Sequence, residues 1–519
     1  MIEETRRTYR IGRHQDGGWL FGVSAARIAG GAVAALLGVL LLRAGAAVPV
    51  VVLGILADCV LAWILVVKQV QGRAVLEWIP VAGAFALERA RGVWQFYTAV
   101  PELGCLVRLP EILAIDPQPV QEPVCLPAEL SGVRVLETSL AFGGVPLGVL
   151  HDARRESYVS FVRCAPRGFC LRGGRQQEVL LGAWGGLLAA LAKESSPIAR
   201  IQWIEGALPA STDGLWRYLQ ANQRPGIADD DISLRATHEL LERQSAGQEH
   251  QALVAIRIDA KRGAAARHIR MLGGGELGAL ALVARQTQWL VGELRRIGVY
   301  GAEAGQPAAI PSARGVAAAL RDGLDPFGRD ERQEPPAGQR PGVSPEAFGP
   351  SARLSHWAHW QSDGTLHVTG ALEQWPGQDF RCDFLRPLLT ETSAARTVSV
   401  VMEVFEQGRA IRKAENETGI AHSDRGVNSW LKRRATARER KRGEHAEQRE
   451  EEIASGHALV RFAGYVDVVV PADAGLTALE DAWGDVRVAA SACGIQLRRC
   501  YGEQVHAGMN CLPLCRGLA

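Results

Sequence analysis

The sequence predicts an α+β protein with an N-terminal transmembrane helical hairpin followed by two cytoplasmic split β-α-β (ferredoxin-like) units. Three observations predict it. Two long apolar runs stand near the start, strand-like and helix-like patterns alternate from residue 130 onward, and a stretch rich in proline and glycine divides that alternation into two similar series. At 519 residues the chain has room for about three domains of roughly 100 to 200 residues each. The formal net charge of +2 gives no overall case for nucleic acid. The ten cysteines show no CxxC pair and no zinc-finger spacing, and Cys511 and Cys515 in CLPLC have the wrong interval for a common zinc knuckle. They read as reduced, small core residues.

The apolar runs are IAGGAVAALLGVLLL (28–42) and VPVVVLGILADCVLAWILVV (48–67), joined by RAGAA. The second reaches the roughly 20 residues that cross about 30 Å of hydrocarbon, while the first is short and borrows Ala44 to Ala47. A cleaved secretory signal is the competing reading, but a second span follows at once and no small-residue cleavage context precedes folded sequence. Arg6, Arg7, Arg10, Arg13 and Arg27 precede the pair, Lys68, Arg73, Arg89 and Arg91 follow it, and the loop holds only Arg43. Positive residues stay inside, so a plasma (inner) membrane protein is expected with both termini and most of the chain cytoplasmic. Arg27 and Arg43 can snorkel from the ends of the first helix. Asp58 lies near the middle of the second run, where an ionisable group costs about 2.5 to 3.5 kcal/mol and must find a partner. A structural hydrogen bond within the hairpin or to another subunit's helix outranks a proton site, because no further polar relay residues accompany it.

Residues 1–27 then form an N-terminal arm, 28–67 the hairpin, and 68–129 an interfacial helix (72–97) with a proline-broken linker. The first α+β domain is expected over 130–325. It has strands in GVRVLE (132–137), GVPLGVLH (144–151) and SYVSFVRC (157–164), with DARRE turning the hairpin between the last two. Helical periodicity follows at 176–194, a strand at 198–208, a helix at 232–244, a strand at 251–259 and a helix at 276–297. Residues 326–351 read as an exposed linker. The second domain, 352–519, repeats the order with strands at 365–376, 396–405 and 458–471, a helix at 475–493 and a strand at 495–500. Between the second and third of these strands runs a long polar helix.

Candidate chemistry is sparse. GGGELG (273–278) is a literal Gly-x-Gly-x-x-Gly match, but a phosphate cradle needs a strand end directly before it, and AKRGAAARHIRML intervenes. No Walker-type Gly-x-x-x-x-Gly-Lys-Ser/Thr stretch and no Gly-x-Ser-x-Gly elbow occurs. HWAHW (356–360) spaces two histidines three apart without a third ligand at motif spacing, so structural histidines are expected. No catalytic, cofactor or metal site is assigned. The polar helix LKRRATARERKRGEHAEQREEEIA (431–454) is basic first and acidic second. A solvated, salt-bridged helix is the bland reading, and a partner-docking arm carried by Lys432, Arg433, Arg434, Arg438, Arg440, Lys441 and Arg442 is the sharper one. A nucleic-acid patch ranks third, because aromatic residues are nearly lacking there.

Taken in order, TYRIG (8–12), the hairpin, GRAVLEWIPV (72–81), RVLE (134–137), GVLHD (148–152), IQWIE (201–205), RTVSVVMEV (396–404) and LPLCRGL (512–518) resemble the membrane proteins of actinobacterial conjugative, type IV secretion-like transfer systems. The likeness is to a fusion of the small two-helix inner-membrane subunit with the non-motor N-terminal region of the large transport ATPase. In those ATPases a motor follows the segment similar to LPLCRGL, whereas this chain ends at Ala519. The resemblance therefore implies a non-catalytic, oligomeric scaffold without a cofactor, working with a separate motor ATPase and other membrane subunits of the apparatus, with nucleic acid at most indirect. A membrane subunit of a type VII secretion core is the alternative, and a membrane-bound nucleotide-dependent enzyme is a distant one.

Overall fold

The computed structural model describes residues 68–98 and 126–518, with single positions between 36 and 60. It leaves out position 72 and residues 143–144, 165–171, 210–221, 223–230, 245–247, 300–309, 330–342, 377–379, 417–446 and 449. A small ribbon of β1 (Gln69–Val70) and β2 (Arg73–Ala74) leads into helix Val75–Ala90 and β3 (Gln95–Tyr97). The strands β4 (Val133–Phe142), β5 (Val145–Asp152) and β6 (Ser157–Cys164) follow as a meander. After helix Gly174–Leu191 come β7 (Arg200–Pro209), helix Ile232–Gln244, β8 (Gln248–Asp259) and the helices Gly263–Met271, Gly275–Ile297 and Ala313–Leu324. The later part holds β9 (Ala352–Ser355), β10 (Trp360–Ser362), β11 (Thr365–Gln374), β12 (Arg396–Val404), β13 (Val460–Pro471), helix Gly475–Ala492 and β14 (Gln496–Arg499).

Two expectations are corrected. The two separate ferredoxin-like units are instead one antiparallel sheet of 12 strands, ordered β3-β9-β10-β11-β13-β12-β7-β8-β6-β5-β4, with β14 also paired to β11. The halves meet where β7 pairs with β12, from Arg396↔Ala207 to Met402↔Ile201. Each half taken alone would leave a long strand edge open, and an open edge is a row of unpaired N–H and C=O groups that favours pairing. Joining the edges satisfies both.

The second correction concerns the hairpin. Among the described residues no helix is long and apolar enough to cross a membrane. Helix Gly275–Ile297 has the length, yet it carries Glu276, Arg285, Glu293, Arg295 and Arg296, which hydrocarbon would not accept. Arg27 and most of 28–67 lie outside the described residues. Arg43 is helical and exposed, and Asp58 is helical and half-buried. The multi-pass inner-membrane placement therefore does not stand.

Strand alternation gives the sheet two different faces. One is apolar: Val162, Ile201, Val254 and Ile256 meet helices Gly174–Leu191 and Gly275–Ile297, and Val398, Val466 and Val468 meet helix Gly475–Ala492. The other face mixes apolar with polar positions. Beneath helix Ala313–Leu324 and the last residues of the chain lie Val159, Phe161 and Leu253, while Gln202, Ser399, Asp467 and His367 on the same face are all nearly inaccessible. Buried polar groups of this kind must be bonded. They are: Gln202 Nε2 donates to Ser399 Oγ and to the carbonyls of Asn510 and Leu512, each at 2.9 Å, and its Oε1 accepts the Cys515 N–H at 2.7 Å.

Helix Ala313–Leu324 starts at Ser312, whose hydroxyl accepts from the Gly315 N–H, a usual N-cap. Two glycines are fixed by close approach. A Cβ on Gly278 would lie 2.6 Å from the Ile269 carbonyl oxygen, and one on Gly148 would lie 2.6 Å from the Ser312 backbone. Both sit where a helix presses onto its neighbour.

Replacing Gln202 tests the joint. In Gln202→Leu the Leu512 carbonyl keeps the Leu514 N–H and the Asn510 carbonyl keeps Ser399, but the Cys515 N–H loses its buried acceptor. We expect a loss of about 2 to 4 kcal/mol in urea unfolding, from an orphaned donor and lost side-chain bonds. A change within 0.5 kcal/mol, taken as about the range of a neutral surface substitution, would contradict this account of the joint.

Candidate functional site

The strands β12 and β13 are antiparallel neighbours paired from Arg396↔Val468 to Val404↔Val460. A turn of a few residues closes such a pair, so the connection 405–459 is far longer than geometry requires. Its foot is well defined. Residues 407–416 form an outgoing helix and 450–454 belong to the returning one, with Glu447 and Gln448 also helical. Ala410, Ala414 and Ile453 are buried between them against Phe405 and Leu459. The outgoing helix exposes Arg409, Arg412 and Lys413, and the returning one carries Glu447, Glu450, Glu451 and Glu452. The Lys413 ammonium also sits over the Phe405 ring at 4.6 Å. The foot is fastened to the body by the Gln407 N–H, which donates to the Ala192 carbonyl at 3.0 Å.

The seven basic residues singled out in the sequence, Lys432, Arg433, Arg434, Arg438, Arg440, Lys441 and Arg442, fall in 417–446, outside the described residues. Chain connectivity makes their segment leave and rejoin the body at this foot. Sequence reasoning found the charged stretch and missed its placement inside a β-hairpin; the signal was available in the strand patterns on either side.

The remaining motifs have structural uses. GGGELG makes the corner between helices Gly263–Met271 and Gly275–Ile297, with φ of +101°, +72° and +58° at Gly273, Gly274 and Gly275. These left-handed conformations suit glycine, and no strand ends there. LPLCRGL is the segment that covers the polar face of the sheet. Tyr465 donates to the Gly517 carbonyl at 2.7 Å, and Arg516 reaches Asp152 at 2.7 Å and the Glu129 carbonyl at 2.6 Å. Burial alone would raise the Asp152 carboxyl, but Arg516 and the hydrogen bonds from Arg155 outweigh it and hold the group below the usual carboxylate range. Cys515 is fully buried, which pushes its thiol up to about 12 and leaves it inert near neutral pH.

Like His250 and Glu205, which meet at 3.1 Å nearer the surface, His367 and Asp467 form a His–carboxylate pair of the kind seen in hydrolytic triads, with the His367 Nδ1 at 2.8 Å from the carboxylate. The other nitrogen, Nε2, faces the Leu324 carbonyl at 3.0 Å, and the stacked Trp360 indole covers the ring at 3.9 Å. Both nitrogens are occupied and the ring is fully buried, so the pair joins helix Ala313–Leu324 to the sheet. Thr369 completes the network by donating to Asp467 at 2.6 Å. Among the described residues no group of three or more His, Cys, Asp or Glu is placed to hold a metal ion.

HWAHW forms the seat of helix Val75–Ala90. Trp357 packs edge-on against Phe85 at 5.2 Å and lies 6.0 Å from Trp78, while His356 and His359 stack at 4.4 Å. Comparison of the chain with family models finds no match, and comparison with curated proteins finds none either.

Burial lowers His359 to about 4, with His356 and Arg499 adding repulsion and Glu480 opposing it. Burial lowers His356 as well. A histidine depressed in the fold contributes stability above its unfolded value of 6.5, and that stability is lost as pH falls toward about 4. Seating of helix Val75–Ala90 should loosen across that window, read as faster proteolysis within 68–98. His359→Gln should flatten the dependence; an unchanged pH profile in that variant would assign the effect elsewhere.

Proposed function

We propose that the chain is a non-catalytic docking subunit of a conjugative, type IV secretion-like transfer apparatus, and that it captures a separate motor ATPase through the arm at 405–459. The observation that carries this reading is the insertion of a long charged segment between two strands that already pair to their ends at Val404 and Val460. A connection of that length inside a compact sheet usually carries function, because the fold does not need it. Its foot packs around Ala410, Ala414 and Ile453 and its first helix is bonded to the body, so a partner gripping the arm acts on the sheet through those contacts. The segment RTVSVVMEV, one of those that resembles the transfer-system ATPases, is β12 itself and leads directly into the arm.

Basic side chains on such an arm attract an acidic surface and speed encounter, while apolar contacts must supply lasting affinity across an interface of about 1,200 to 2,000 Å². The same charges are screened over about 8 Å at physiological ionic strength. Capture of the motor ATPase encoded in the same gene cluster tests the reading. Replacing 417–446 by a short glycine-serine linker should abolish capture while leaving the melting temperature of the body nearly unchanged. Glutamate at Lys432, Arg433, Arg434 and Arg438 together should weaken it at least tenfold and reduce its salt dependence. Full capture by the arm-deleted chain would overturn the proposal.

A further inference from the structure

A cleft of about 330 Å³ opens beside the foot of the arm, between the end of helix Gly174–Leu191 and the helices Gly263–Met271 and Gly275–Ile297. Its charged lining residues are Lys193 and Arg285, both cationic, and His268 adds an imidazole. Ser195 and Ser196 add hydroxyls from the turn that follows the helix, and no carboxylate lines the cleft among the described residues. The other wall is apolar, made by Leu191, Pro197, Ile198 and the indole of Trp289. The side chains of Lys193 and Arg285 make no hydrogen bond or ion pair with another described residue, and both are exposed at the rim. His268 is oriented by its own helix, with Nδ1 at 2.8 Å from the Ala264 carbonyl, which leaves Nε2 free to face a ligand.

We propose that this cleft binds a phosphate monoester carrying a small apolar or aromatic group. Two cations and an imidazole, none with a carboxylate partner, together with two hydroxyls, match a tetrahedral dianion that needs several donors at once. The apolar wall and indole match the group esterified to it, and the volume lies at the lower end of the range that small ligands occupy. A carboxylate offers two acceptor oxygens where the phosphate offers three, and a sulfonate carries a single charge against the two cations. The site is placed to influence the arm, because the Ala192 carbonyl that accepts the Gln407 N–H adjoins the lining residues Leu191 and Lys193.

Isothermal titration of the full chain with phenyl phosphate tests this, with inorganic phosphate and phenol as separate arms and Trp289 fluorescence as the local reporter. Phenyl phosphate should bind, quench Trp289 and bind at least fivefold more tightly than inorganic phosphate; phenol should not bind. Arg285→Gln should weaken binding about tenfold, the scale of one charge-assisted hydrogen bond, and Lys193→Gln should weaken it further. Both residues are exposed, so these variants should keep the parent's melting temperature and fold. No binding of phenyl phosphate would overturn the proposal, as would binding that both variants leave unchanged or equal affinity for inorganic phosphate.

Discussion

Gln202 holds the structure together at its most demanding point. It lies on β7, beside the seam with β12, and its amide bonds the seam's other side through Ser399 and the terminal segment through Asn510, Leu512 and Cys515. One fully buried side chain thus ties the earlier half of the sheet, the later half and the C-terminal cover to one another. A buried amide with two donors and a carbonyl is satisfied only when all of these elements are in register, so the bond set selects a single arrangement. The apolar face tolerates several packings of helices on Val, Leu and Ile. The polar face does not.

That asymmetry organises the rest. On one side helices pack by burial supported by a few hydrogen bonds, such as that between Ser160 and Thr287 at 2.6 Å, and on the other the chain end supplies backbone groups to Gln202, Ser399, Tyr465 and Arg200. His367, Asp467 and Arg516, side chains of types that active sites use, are consumed in this closure. Two features stand outside it. The arm at 405–459 leaves the sheet where neither neighbouring strand needs it, and the cationic cleft beside its foot keeps two exposed cations unpaired among the described residues.

Elements set by local pattern were readable in the sequence. SYVSFVRC is β6 from end to end, ISLRATHELLERQ is the helix Ile232–Gln244, and GLTALEDAWGDVRVAASA is the helix that covers β13. The rest depended on contacts between distant residues. Nothing in IQWIE or RTVSVVMEV announces that they pair, since each strand carries the same apolar alternation with any partner. The short strands β9 and β10 have too few residues to show a period, and β10 begins inside HWAHW, whose histidines read as structural without revealing a strand. The hairpin expectation rested on apolar length alone, and the described residues hold no membrane-crossing helix. The basic residues of the arm were visible as charge, because a run of Lys and Arg needs no partner to be noticed; the arm's foot was not, because Ala410, Ala414 and Ile453 acquire meaning only when packed.

The central claim is that both halves share one sheet across β7 and β12, and amide hydrogen exchange of the whole chain followed by mass spectrometry tests it most directly. The account predicts that peptides from 200–207 and 396–402 exchange as slowly as those from the interior pair β6 and β8, with a common opening free energy. Exchange at either seam strand as fast as at an open edge, while β6 and β8 stay protected, would show two separate sheets and contradict it.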